Sequence, residues 1–265
     1  MFFGKESKSA ASGAKTLAIV NQKGGVGKST TAVNLAASLG EADRKVLLVD
    51  LDPQGNATSG FGLNRSQRDQ CIYDVLIEGE PVEGLIEPVE VEHVFVVPAT
   101  IQLAGAEIEL VSAMSRENKL KQSLEPVAGD FDFILVDCPP SLGLLTVNAL
   151  TAADGVVIPI QCEYYALEGL SKLLDSIRLV RRHLNQELEV FGVVMTMFDA
   201  RTKLSAQVVE EVRDFFDDQV FETVIPRSVR LSEAPSFGQP ITVYDKSGRG
   251  AEAYRSLAKE VISRV

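Results

Sequence analysis

The chain of 265 residues lacks a cysteine framework: Cys71, Cys138 and Cys162 are widely spaced, odd in number and form no CxxC pair. Neither a disulfide scaffold nor a zinc or iron–sulfur ligand set fits that pattern, whereas a reduced cytosolic compartment does. Histidine is scarcer still. His93 and His183 are the only two, and neither lies near Cys138, which therefore reads as a small buried residue rather than an activated nucleophile. No apolar run approaches the roughly 20 residues that cross a bilayer. Phe2 and Phe3 are too few for the apolar region of a secretory leader. Residues 1–15, rich in Ser, Ala, Gly and Lys, are expected to be a disordered lead-in. An excess of basic charge is also missing. The formal net charge of −11 argues against a protein whose whole surface grips nucleic acid through counterion release, although it leaves room for a local patch. The acidity is concentrated: Asp74, Glu78, Glu80, Glu83, Glu87, Glu90, Glu92, Glu107 and Glu109 fall in one span from Asp74 to Leu110 that holds no Lys or Arg. The plain reading of that stretch is a solvated surface.

What is present is an alternation of short apolar runs with longer amphipathic ones. Strands are expected at Thr16–Val20, Lys45–Asp50, Val94–Val97, Phe131–Asp137, Gly155–Ile160, Val190–Met197 and Thr223–Ile225. Several are apolar throughout, as in strands buried on both faces of a parallel sheet. Helices are expected at Lys28–Leu39, Leu167–Leu184, Leu204–Phe216 and Ala251–Val265. No internal repeat and no long Pro/Gly linker divides the chain. Residues 16–265 are therefore expected to form a single α/β domain, a twisted, mainly parallel sheet with helices on both faces.

The strongest motif is Lys23-Gly24-Gly25-Val26-Gly27-Lys28-Ser29-Thr30, placed between the first strand and the first long helix. Glycines let backbone amides turn toward phosphates, and the helix N-terminus adds positive potential. Lys28 is placed to reach β- and γ-phosphates, and the Ser29 hydroxyl to hold Mg²⁺. The usual GxxxxGK[ST] pattern fails, because Gln22 stands where its first glycine belongs. A second lysine, Lys23, heads the loop instead. Further on, Asp50 and Asp52 end the second strand at i and i+2 and share a direction if the strand continues through them. An apolar strand closes on Asp137, as a carboxylate held near Mg²⁺ requires.

KGGVGKST resembles the deviant Walker A loop of the ParA/MinD family of ATPases. The resemblance runs from Thr16 to the end of the chain. The segments DPQGNATSG (52–60), PATIQLAGAEIEL (98–110), DCPPSLGLLTVNALTAAD (137–154), QCEYYALEGL (161–170), DART (199–202) and IPRSVRLSEAPSFGQPI (225–241) resemble its chromosomal ParA/Soj branch. That resemblance implies a P-loop fold with ATP and Mg²⁺ as cofactors and slow ATP hydrolysis. It implies that Lys23 reaches the partner subunit's nucleotide across an ATP-dependent homodimer. Asp52 maps to the residue that positions or polarises the attacking water, Asp50 and Asp137 to carboxylates near Mg²⁺, and Met197 and Pro226 to adenine contacts. Non-specific double-stranded DNA binding maps to Arg201 and Arg230, with a ParB/Spo0J-like centromere-binding partner and a cytoplasmic, nucleoid-associated setting. Arg178, Arg181 and Arg182 are a further basic candidate that a solvated helix face explains equally well.

Other classes fit less well. A biosynthetic ligase such as cobyrinic acid a,c-diamide synthase shares the loop but needs a small-molecule acid site. A nitrogenase-type iron protein needs cluster cysteines in a downstream context that is absent. A MinD-like membrane switch needs a basic amphipathic C-terminal helix. Here Tyr254, Leu257, Ala258, Val261 and Ile262 form an apolar stripe that is expected to pack in the core, and no stable membrane association is expected.

Overall fold

Apolar residues run unbroken through most strands because helices cover both faces of the sheet. The computed structural model describes residues 13–164, 166–167 and 170–265. The expected lead-in falls mostly outside them, although Ala14 already donates its N–H to the Ala128 carbonyl at 2.8 Å. Among the described residues the strands are β1 (Lys15–Ile19), β2 (Val46–Asp50), β3 (Glu87–Pro88), β4 (Val94–Val97), β5 (Phe133–Asp137), β6 (Gly155–Gln161), β7 (Glu189–Phe198) and β8 (Val220–Pro226). They form one sheet in the order β3-β4-β2-β5-β1-β6-β7-β8. Every pairing is parallel except that of β3 with β4.

The helices are α1 (Lys28–Glu41), α2 (Asn56–Gly60), α3 (Leu103–Glu109), α4 (Lys119–Leu124), α5 (Leu144–Ala152), α6 (Leu170–His183), α7 (Lys203–Phe216), α8 (Val229–Glu233), α9 (Ile241–Tyr244) and α10 (Arg249–Ser263). The two-residue period of a strand divides the core in two. Leu17, Ile19, Leu48 and Leu135 pack with Leu35, Leu39, Leu257 and Val261 of α1 and α10 on one face. Ala18, Val20, Leu47 and Val136 pack with Leu103, Leu120, Leu145 and Leu173 on the other.

The apolar stripe of α10 is spent on that packing: Tyr254, Leu257, Ala258 and Val261 are buried. The Tyr254 hydroxyl pairs with Thr31 Oγ1 at 3.4 Å, and Arg255 grips Glu41 through Nε at 2.6 Å and Nη2 at 3.1 Å. Among the described residues no helix is long and apolar enough to cross a membrane.

Two departures from the expected elements have simple causes. α5 carries no one-sided apolar stripe because Leu145, Thr146, Asn148, Ala149, Leu150 and Thr151 are all buried, so its helical period is invisible in the sequence. β8 extends beyond Thr223–Ile225 to Val220 and Pro226, because β7 pairs with it along that length.

The topology reverses around β1, which lies between β5 and β6. Chain connections run to one side of it early in the sequence and to the other side later. Such a switch point opens a crevice at the C-terminal ends of the strands.

Candidate functional site

The crevice is a cleft of about 390 Å³. The loop from Lys23 to Gly27 leads from β1 into α1, and Gly25 and Gly27 sit at φ 75° and 90°, the left-handed region that glycine enters without strain. Thr196 of β7 anchors the loop, its hydroxyl donating to the Val26 carbonyl at 2.8 Å. Gly24, Gly25, Gly27, Lys28, Ser29 and Thr30 line the cleft, together with Asp52 and Met197. Met197 itself takes a left-handed φ of 54° at the end of β7.

Lys28 is buried, and its ammonium donates to the Lys23 carbonyl at 3.4 Å. Burial lowers its pKa, an effect that the nearby Asp137 and Asp52 oppose. Lys23 behaves differently. Its side chain is exposed and absent from the residues lining this cleft, while its N–H donates to Asn21 Oδ1 at 2.9 Å.

The register of β2 and β5 sets Asp50 directly beside Asp137. Both are fully buried. Asp50 is well held: Oδ2 accepts from the Thr58 N–H and hydroxyl at 2.7 Å each, and Oδ1 from the Asp52 N–H at 3.2 Å. Burial nevertheless pushes its pKa up to about 6, against those hydrogen bonds. Asp137 has neither carboxylate oxygen in a well-formed hydrogen bond among the described residues. Burial and the Asp50 charge raise it well above the usual range, and the adjacent Ser29 hydroxyl and Lys28 offset this only in part. A buried carboxylate so weakly held beside a second carboxylate lacks a full counter-charge, because Lys28 offsets only part of the pair. A hydroxyl and carboxylates beside a phosphate-sized cleft form the oxygen set that suits Mg²⁺. Asp52 is buried at the mouth, with Oδ1 accepting from the Gln54 N–H at 2.9 Å.

A family model described as an AAA domain matches residues 14–190. The sporulation initiation inhibitor protein Soj of Bacillus subtilis is 62% identical, over 93% of this chain and 98% of its own. The chromosome partitioning protein ParA of Myxococcus xanthus is 53% identical, over 99% and 93% respectively. The chain belongs to the Soj/ParA family. Its fold also matches a solved cobyrinic acid a,c-diamide synthase from Mycobacterium smegmatis, crystallised with ADP or an ATP analogue and magnesium. That match has a TM-score of 0.83 and 37% identity, and covers 94% of each chain.

This Soj/ParA-family fold gathers most of the residues singled out in the sequence, but not all. Pro226 ends β8 opposite Phe198 and does not line the cleft. That wall is made instead by Ala234, Pro235 and Gln239. Their loop is tied down where Asn34 Oδ1 accepts from the Ile241 N–H at 2.6 Å, and where Gly238 closes on Gly62. The signal available in the sequence was the Pro-Ser-Phe-Gly-Gln-Pro turn at 235–240.

Arg201 and Arg230 follow β7 and β8, whose ends pair at Phe198 and Pro226, so both lie at one corner of the sheet. Each is exposed and already paired. Arg201 holds Asp199 through Nε at 2.9 Å and Nη2 at 2.7 Å, and Arg230 reaches Glu233 at 3.1 Å. The exposed Arg227, not singled out in the sequence, joins them and acts electrostatically on Asp199. Arg178, Arg181 and Arg182 lie near the C-terminal end of α6, which leads into the start of β7. They therefore sit at the N-terminal end of the strands, away from that corner at their C-terminal end.

Proposed function

We propose that the chain is a nucleotide-switched partition ATPase. It binds ATP with Mg²⁺, dimerises, holds double-stranded DNA without sequence preference, and hydrolyses ATP slowly under a ParB-like partner's control. The observation that carries this reading is the division of labour between two lysines of one loop. Lys28 is buried inside the cleft, whereas Lys23 presents its side chain outside it, where a second copy's nucleotide can take it up.

The backbone amides of residues 24–30 cradle the phosphates, and Lys28 compensates their charge. Magnesium, when bound, supplies further charge neutralisation at the phosphates. Ser29, Asp50 and Asp137 would hold it. Asp52 orients the attacking water from the mouth of the cleft. Met197, with Pro226 nearby, borders the adenine end. Arg201 and Arg230 contact DNA phosphates, and dimerisation doubles a patch too weak to act singly.

The diamide-synthase neighbour supports a second reading, an ATP-dependent amide-forming enzyme. One titration separates the two: labelled duplex DNA against the protein with ATP, ADP or no nucleotide. ATP-dependent, salt-sensitive and sequence-independent binding supports the partition switch. Absence of DNA binding in all three states, with ATP turnover that depends on cobyrinic acid, supports the synthase.

A further inference from the structure

α3 and its flanking turns are apolar on two faces. Leu103, Ala106 and Leu110 are fully buried, yet Ile101, Ile108, Val111 and Met114 are 70, 77, 59 and 89% exposed. At helical spacing Ile101, Ala104, Ile108 and Val111 fall within an arc of about 80° and form one stripe, and the exposed Met114 follows it just beyond the helical turn that ends at Ser112. Single exposed apolar residues are ordinary. A continuous stripe on a helix whose other face is already buried marks a docking surface.

Acidic groups flank the stripe. The Tyr73 hydroxyl donates to Glu109 at 3.0 and 3.1 Å. Both groups lie against α3 at Gly105, where an added Cβ would stand 3.1 Å from Glu109 Oε1 and 3.9 Å from the Tyr73 ring. Asp74 and Glu78 act electrostatically on the same tyrosine. At the far end Arg116 is paired with Glu117 at 2.9 Å. A second copy meeting this face across a two-fold axis would set acid against acid, and an anionic membrane meets the same repulsion.

We propose that the Ile101–Ile108–Val111–Met114 stripe is the docking surface for a basic amphipathic helix of a partner protein. Its apolar side lies on the stripe, and its Lys and Arg side chains lie over Glu109, Glu78 and Asp74. The surface is connected to the nucleotide cleft. Glu107, on the same helix, accepts from the Leu144 N–H at 2.9 Å and the Leu145 N–H at 3.4 Å. It thereby caps α5 just after Pro140, a lining residue of the cleft.

The test uses the full chain without nucleotide, so it stands apart from the ATPase reading. The probe is a labelled synthetic helix of Leu and Lys at amphipathic spacing, with a Leu/Glu helix of the same spacing as control. The wild type is expected to bind the Leu/Lys helix at least tenfold more tightly than the control. The double variant Ile108→Asp, Met114→Asp, with an unchanged melting curve, is expected to lose at least tenfold. The added carboxylates would strengthen a purely electrostatic attachment, so this loss isolates the apolar contact. Equal or tighter binding by the variant overturns the proposal. So does self-association of the wild type that the variant abolishes, or variant-sensitive co-sedimentation with phosphatidylglycerol vesicles.

Discussion

Replacing Asp50 by Asn tests the electrostatics of the site without any ligand. Burial moves this carboxyl from 3.8 to about 6 in the folded chain. At about 1.4 kcal/mol for each tenfold change in the acid constant, its ionisation costs the native state about 3 kcal/mol at neutral pH. Between the two values the folded protein holds a proton that the unfolded chain has released. Stability therefore falls as pH rises from 3.8 to about 6 and then levels off. The Asp50→Asn variant escapes that fall. Its side-chain amide retains one oxygen for the Thr58 N–H and hydroxyl, while the amide nitrogen faces the Asp52 N–H at a pH-independent cost. The informative quantity is thus the gap between variant and wild type at two pH values. From pH 5 to pH 8 it should shift in the variant's favour by about 1.4 kcal/mol, or roughly 3–6 °C in melting temperature for a chain of this size. Loss of the Asp50 charge also eases ionisation of Asp137, which adds in the same direction. Calorimetric melts of both proteins in metal-free buffer measure the gap. A gap that stays constant, or moves toward the wild type, refutes a buried carboxylate pair lacking its counter-charge.

Asp52→Ala should retain ATP binding and accumulate the ATP dimer while turnover falls by at least tenfold, as read by phosphate release and sedimentation; unchanged turnover removes Asp52 from its role. Arg201→Glu with Arg230→Glu should abolish ATP-dependent DNA binding at physiological salt and leave the ATP dimer intact. The single variants should each lower the salt slope by about one per lost phosphate contact. Glu107→Ala removes the acceptor that caps α5 and should cost about 1 kcal/mol in chemical denaturation. A neutral result there would disconnect α3 from the loop at Pro140.

The parts of the site that sequence reasoning reached are those in which chemistry and backbone coincide. The glycines, Lys28 and Ser29 mark the phosphate loop by residue type and spacing. Asp50 and Asp137 each end an apolar run, and the parallel register then pairs them. What stayed hidden depends on contacts between distant segments. Asn34 reads as one polar residue on an amphipathic helix, yet it fastens the loop at Ile241 across the cleft. Gly62 and Gly238 read as separate turns, and only the fold reveals their mutual approach. α5 escaped because burial on nearly every side erases the period on which helix reading relies. The Pro-Ser-Phe-Gly-Gln-Pro sequence marks a turn at 235–240 but not the lining role of Ala234, Pro235 and Gln239, whose contribution is shape rather than charge.

The fold also eases the tension between a net charge of −11 and the DNA binding proposed above. The acidic span from Asp74 to Leu110 contains β3, β4 and α3, at one edge of the sheet, whereas Arg201, Arg227 and Arg230 follow β7 and β8 at the other. Six strand spacings separate β4 from β8, roughly 29 Å at about 4.8 Å each. That exceeds three Debye lengths at physiological salt, where one is about 8 Å. The acids would therefore act only weakly on DNA held at the far corner. Neutralising Glu78, Glu80, Glu83, Glu90 and Glu92 should change DNA affinity by less than twofold at physiological salt, and by more only as salt is lowered. The carboxylates that matter there are local. Asp199 and Glu233 already occupy Arg201 and Arg230, so under the proposed function each DNA phosphate would have to displace one of them. That competition would keep a single corner weak and leave tight binding to two corners acting together.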